Sequence, residues 1–168
     1  MDKVEKLLDK HKWPSVCRRV SIVPPDERVT IPGYNGGRRK TIFFCQSEGF
    51  SQTNKTRLHL SKPIMDILPD WFVPEENFCM TVNKNVQTYP HRDSLNKGDA
   101  AILFLGDFTG GELHAEDGSI ISEKRVWHRF DSARLLHWNA PHRGTKYSVI
   151  AANNQRPICY HRKKKETT

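Results

Sequence analysis

The stretch "DAAILFLGDFTGGELHAEDGSII", residues 99–121, decides the fold. Its apolar runs at 99–105, 111–116 and 119–121 are each too short for an ordinary helix, and Gly-Asp, Gly-Gly and Asp-Gly turns separate them. Short runs rich in branched and aromatic residues, punctuated this often, predict an antiparallel sandwich or barrel. The same pattern extends outward in both directions. Upstream, "FCMTVNKNV" (78–86) reads as a strand; downstream, so do "VWHRF" (126–130), "ARLLHW" (133–138) and "KYSVIAA" (146–152).

The first half of the chain has a different character. Val4, Leu7, Leu8 and His11 share a face at helical spacing, which predicts a short helix over 2–12. "TIFFCQ" (41–46) reads as a strand, and "SKPIMDILPDW" (61–71) as a short helix with Ser61 as its N-cap and Pro63 in its first turn. Between them "VPPDERVTIPGYNGGRRKT" is rich in turn residues. Its "GGRRK" sets Arg38, Arg39 and Lys40 on a loop, as a solvated hairpin tip or a phosphate contact. The division expected is one domain over 1–158, with 1–76 as helical and strand support for a β core at 77–154, and a charged tail at 159–168 without fixed structure.

Composition narrows the partners. The 168 residues carry a net charge of +8, which favours a polyanion such as nucleic acid over an uncharged partner. No apolar run is long enough to cross a membrane, and the charged N-terminus lacks the apolar core of a secretory signal. The expectation is an intracellular monomer, nuclear in a eukaryote and cytoplasmic in a bacterium or phage. Cys17, Cys45, Cys79 and Cys159 are scattered without a CxxC pair, so they read as thiols rather than a disulfide frame or a zinc site.

The chemistry concentrates in two places. In "YPHRDSLN" (89–96), His91 and Asp93 lie two apart, and in an extended segment residues i and i+2 face the same way. The pair alone is a weak signal. In "LLHWNAPHRGTKYSV" (135–149), His137 ends an expected strand, and Lys146 and Ser148 share a face of the next. Two histidines and a carboxylate on one side of a metal leave positions open, as in non-haem Fe(II) oxygenases. A cation beside a hydroxyl suits a dicarboxylate. His142 competes with His137 for the distal place but reads as a loop residue after Pro141, and Arg143 competes with Lys146. A zinc hydrolase would use similar ligands, but no HExxH motif supplies its base. His114 and His128 read as hydrogen-bonded sheet residues, Trp138 and Tyr147 as core aromatics more than as stacking platforms, and Asn83 and Tyr89 as polar residues on the approach to the metal.

"HRDSLNKGDAAILFLGDFTGGEL" with "FDSARLLHWNAPHRGTKYSVIAAN" resembles the core of the 2-oxoglutarate/Fe(II)-dependent dioxygenases, and within them most resembles the TET/J-binding-protein branch that oxidises the methyl group of modified pyrimidines in DNA. The resemblance covers about residues 77–154 and implies a double-stranded β-helix, or jelly-roll, mainly β with flanking N-terminal helices. It implies His91, Asp93 and His137 as iron ligands, and Lys146 with Ser148 as holders of the far carboxylate of 2-oxoglutarate, beside Asn83, Tyr89 and Arg143. It also implies Asn96 as a reader of the flipped base. The activity implied is oxidation of 5-methylcytosine to 5-hydroxymethylcytosine with Fe(II), 2-oxoglutarate and O2. Arg38, Arg39 and Lys40 are the expected phosphate contacts. The branch usually has arginine where this chain has Lys146, and prolyl hydroxylases have lysine there. A hydroxylase of a protein or small molecule is therefore the alternative, and a jelly-roll that binds nucleic acid without turnover is a third reading.

Overall fold

The computed structural model describes residues 1–13, 40–45, 58–88 and 90–156, with 40–45, 58 and 59 as backbone only. Arg38, Arg39, Tyr89, Cys17, Cys159 and the basic tail lie outside the described residues.

The expected helix over 2–12 is α1 (Asp2–Lys10), which buries Val4 and Leu8. Strand β1 (Lys40–Cys45) is followed by α2 (Leu58–Met65). The sequence placed this second helix at 61–71, and the structure corrects it. Ser61 lies inside the helix rather than at its cap, and Pro63 is interior too. The chain leaves the helix through bonds from the amides of Ile67 and Leu68 to the carbonyls of Ile64 and Met65, three residues back. Pro69 explains the early stop, because the residue before a proline is pushed out of the helical region.

Ten strands follow the expected mainly β plan. β2 (Phe78–Lys84), β3 (Asn96–Leu105), β7 (Trp127–Phe130) and β10 (Tyr147–Asn154) join β1 in an antiparallel sheet of order β1-β2-β10-β3-β7. A smaller sheet, β6-β5-β8, is built from β5 (Leu113–Ala115), β6 (Ile120–Ile121) and β8 (His137–Asn139), and β4 (Phe108–Gly110) pairs with β9 (His142–Gly144).

The larger sheet is covered on both faces, which explains why β3 is continuously buried from Ala100 to Leu105 instead of alternating. On one face Met80, Val82, Leu103, Leu105 and Val149 pack with Leu8 of α1 and Leu60 and Ile64 of α2. On the other, Ile102 and Phe104 pack with Phe108, Leu113, Ala115 and Phe130. Each fully buried aliphatic side chain contributes about 1.5–3 kcal/mol. Tyr147 sits in the first layer as expected, 1% exposed, with its hydroxyl donating to Asp9 at 2.6 Å and Trp13 stacked on its ring. The two antiparallel layers, with helices outside the larger one, give the jelly-roll architecture its physical basis here.

Three local expectations are corrected. "ARLLHW" is not a strand: Asp131 accepts the Leu135 amide and closes a turn, and β8 starts only at His137. His142, read as a loop residue, lies on β9. Trp138 is not in the core; it is half-buried and stacks on His114, 5.9 Å between ring centres, on the face of the small sheet opposite Leu113 and His137. No helix among the described residues is long and apolar enough to cross a membrane.

Candidate metal centre

His91 lies between β2 and β3, and His137 opens β8. A β-bridge joins them: each backbone amide donates to the other's carbonyl at 3.0 Å. The bridge brings the two imidazoles to 4.3 Å between centroids. Asp93 is held by its own amide on the carbonyl of Ser132 at 2.9 Å, while its carbonyl accepts the amide of Asn96 at 2.8 Å. Backbone bonds thus set all three side chains before any ion arrives.

His91 Nε2 lies 3.7 Å from one carboxylate oxygen of Asp93, and His137 Nε2 lies 3.5 Å from the other. One donor atom from each of the three residues falls within 4.8 Å of the rest, the one such cluster among the described residues. Donors about 2.1 Å from a six-coordinate ion sit about 3 Å apart when adjacent and about 4.2 Å when opposite. The observed 3.5 and 3.7 Å are wider than the adjacent spacing, so the three donors share one side of the site and would have to draw closer to hold such an ion. His137 is buried, and its Nδ1 donates to the carbonyl of Leu135 at 2.8 Å, which turns the Nε2 lone pair toward Asp93. The edge of Phe130, 5.1 Å away between centroids, fixes the ring from the side. His91 and Asp93 keep about a quarter of their side-chain surface in solvent, so the open side of the site is reachable.

That side gives onto a cleft of about 110 Å³ between the two sheets, with Ile102, Phe104 and Leu113 among its apolar walls. Asn83 and Ser148 both line it, paired across β2 and β10, with Asn83 Nδ2 donating to Ser148 Oγ at 3.2 Å. Asn96 lines it too and donates from Nδ2 to Ser132 Oγ at 2.7 Å.

Lys146 is buried, and its ammonium donates to the carbonyl of Gly111 and lies 4.7 Å from the ring centre of Phe104. Burial pushes its pKa down to about 8, against a smaller upward pull from Glu112. It forms no salt bridge among the described residues. Gly111 has a φ of +73°, and a Cβ there would come within 3.0 Å of Lys146 Nζ, so only glycine accommodates this lysine without a shift. Burial and then the Lys146 charge push the His142 pKa down; this ring is on β9 and not in the metal cluster. Arg143 is exposed on β9 opposite Thr109, and neither it nor Lys146 is among the residues that line the cleft; Lys146 lies behind Phe104, which does. Lys40 begins β1 opposite Lys84. His128 bonds the carbonyl of Glu123 at 2.9 Å, in keeping with a sheet role.

The sequence reading missed several cleft residues: Cys79, Ser132, Asn139 and Asn154. Asn154 was within reach, because counting in twos from Ser148 along the last strand gives Ile150, Ala152 and Asn154, all of which line the cleft. Cys79 follows from Asn83 in the same way and is in no disulfide. Ser132 lies in a turn that no periodicity marks.

No family model matches the chain, and no curated protein matches it. Among solved structures it is similar to the crystal structure of a Pseudomonas putida prolyl-4-hydroxylase, at 15% identity over 70% of each chain and a TM-score of 0.42. A likeness at that level carries no argument about chemistry, and the functional reading rests on the site itself.

Proposed function

We propose that the chain is an Fe(II)- and 2-oxoglutarate-dependent dioxygenase that oxidises the 5-methyl group of a pyrimidine in DNA, 5-methylcytosine first. The observation that carries this reading is the cluster of His91 Nε2, His137 Nε2 and the Asp93 carboxylate at the mouth of a cleft, with the donor face of His137 fixed by Leu135. Iron bound there with 2-oxoglutarate and O2 would supply the power to oxidise an unactivated C–H bond.

The protein's own residues do the positioning. His91, Asp93 and His137 hold the metal on one side and leave the other open. Lys146, just before β10, and Ser148, two residues on along it, are the anion partners for the far carboxylate, and Asn83 orients the Ser148 hydroxyl. A buried ammonium whose hydrogen bond goes to a neutral carbonyl gains from a carboxylate, which supports Lys146 over the exposed Arg143. Ile102, Phe104 and Leu113 keep the cleft poor in water. Asn96 meets the base, which must leave the duplex to reach the site. Arg38, Arg39 and Lys40 would carry phosphate contacts, in line with the charge of +8.

Lys146 in place of arginine favours a second reading, the same chemistry on a protein side chain. One experiment separates the two. Purified protein is given Fe(II), 2-oxoglutarate, ascorbate and either 5-methylcytosine DNA or peptide, and succinate and product masses are measured. Oxygen added to the DNA methyl group, dependent on 2-oxoglutarate, is the expected result. Oxygen added only to peptide would replace the DNA reading. No succinate with any substrate and no metal bound would remove the enzyme reading altogether.

A further inference from the structure

Cys45 and Cys79 stand opposite one another in the larger sheet. β1 and β2 run antiparallel, and the register that sets Thr41 against Asn83 and Phe43 against Thr81 sets Cys45 against Cys79. Residues directly opposite in an antiparallel pair share a face of the sheet, with Cα atoms about 4.5 or about 5.5 Å apart according to the hydrogen-bond pattern. Both spacings fall in the range of about 4.4–6.8 Å that a disulfide bridges. Cys79 lines the cleft with Thr81 and Asn83, is buried and is in no disulfide. Cys45 is the last residue of β1, and β1 is the edge of its sheet. Opposed Cβ atoms sit about 4.5–5.5 Å apart and a disulfide holds them at about 3.5–4.5 Å, so closure asks for a movement of about 1 Å. An edge strand is held from one side only, and its last residue moves most easily.

We propose that Cys45 and Cys79 form a reversible oxidation site in the wall of the cleft, two thiols under reducing conditions and one disulfide after contact with a small peroxide. The cleft, about 110 Å³, admits an oxidant little larger than water. One thiolate attacks a peroxide oxygen and the O–O bond breaks. The other oxygen leaves as water with the thiol's proton, and a sulfenic acid remains. The second thiolate attacks that sulfur, the S–S bond forms and the S–O bond breaks, and the hydroxyl leaves as water with the second thiol's proton. Two thiols are oxidised by two electrons, and one peroxide is reduced to two waters. The partner thiol intercepts the sulfenic acid before it passes to sulfinic acid, which thiols do not reverse. The bond ties the edge strand to β2 and closes residues 46–78, α2 among them, into a loop. A bond that draws two strands together from their resting spacing stays easily reduced, which suits a reversible site.

The test is a disulfide map of the full chain. The protein is reduced, freed of reductant, and exposed to hydrogen peroxide in the presence of a chelator that holds stray iron. Remaining thiols are alkylated, and the tryptic peptides are weighed. Trypsin releases Cys45 on peptide 41–55 and Cys79 on peptide 58–84. The expected result is these two peptides joined, at least about tenfold in excess over any pairing with Cys17 or Cys159, and parted by dithiothreitol. Cys45→Ser should lose the joined pair and carry Cys79 on to sulfinic acid instead. In the unaltered protein, peroxide that leaves both cysteines as thiols, takes Cys79 to sulfinic acid, or joins either one preferentially to Cys17 or Cys159 overturns the proposal. A joined pair that forms as readily in the urea-unfolded chain overturns it too, because the register would then contribute nothing. If Cys45→Ser does not fold, the map of the unaltered protein, folded and unfolded, still decides the matter.

Discussion

Replacing Lys146 by methionine should stabilise the protein and weaken its hold on 2-oxoglutarate together. The side chain is 2% exposed, and burial holds its pKa at about 8 where 10.5 is ordinary. That displacement corresponds to about 3 kcal/mol of preference for the neutral amine. Methionine keeps the shape of the stem and removes the charge; the Gly111 carbonyl loses its donor, which returns about 1 kcal/mol. The net gain at pH 7 is about 2 kcal/mol, or about 4–8 °C in Tm for a chain of this size. The gain must depend on pH in a definite sense. Between pH 8 and 10.5 the unfolded chain binds the lysine proton and the folded chain does not, so raising the pH stabilises the parent relative to the variant. Below pH 8 both states are protonated and the difference is at its full value. Melting curves of the two proteins at pH 7 and at pH 10 should therefore show the variant ahead at the lower pH and the gap largely closed at the higher one. Adding 2-oxoglutarate with Mn(II) at pH 7 should raise the Tm of the parent much more than that of the variant. A variant that melts below the parent at pH 7, or a gap that ignores pH, would refute the view that Lys146 is a buried charge kept for a ligand.

Other perturbations act on the metal. His137→Ala should abolish Mn(II) binding followed by electron paramagnetic resonance, because it removes the donor whose orientation Leu135 fixes; retained affinity would point the site elsewhere. Arg92 donates to the carbonyl of Arg134 and to both oxygens of Glu116, which accepts the Leu136 amide, so it ties the His91–Asp93 segment to the approach of His137. Arg92→Ala should weaken Mn(II) binding by about threefold to tenfold, with partial rescue in Arg92→Lys; an unchanged affinity would mean that these bonds do not hold the metal-binding residues in place. Arg143→Ala should leave the 2-oxoglutarate requirement unchanged while Lys146→Ala raises it, and the reverse outcome would exchange their roles.

The sequence made the β core legible because β2, β3 and β10 carry their own signal, branched and aromatic residues in runs that glycine and aspartate cut short. It made the triad legible because His91 and Asp93 are neighbours on one segment and His137 falls where a strand was expected. It could not show that His91 and His137 exchange backbone hydrogen bonds, since bridges between distant segments leave no local trace. The N-terminal end of α2 was lost for another reason. Ser61 and Pro63 form a sound helix-start pattern, but the burial of Leu60 and Ile64 against the sheet carries the helix through them. Tertiary packing outweighs a cap contributing about 1 kcal/mol. "ARLLHW" misled because its apolar residues pack from a turn that Asp131 closes, a contact of side chain and backbone that periodicity does not register.

Strand β10 brings these threads to one physical point. Residues of even number along it, Ser148, Ile150, Ala152 and Asn154, face the cleft, while Tyr147, Val149 and Ala151 face the helices. Its start adjoins a buried cation and a hydroxyl, and its end presents an amide whose oxygen has no partner. Near that end, Ser132 holds Asp93 and Asn96 through separate bonds. A strand with a packed apolar face needs neither a buried charge at one end nor an orphaned acceptor at the other, and both lower the stability of the empty protein. Such costs persist where a ligand repays them. The two ends ask for opposite partners, an anion at Lys146 and an N–H donor at Asn154. The 2-oxoglutarate of the proposed reaction would meet the first of them.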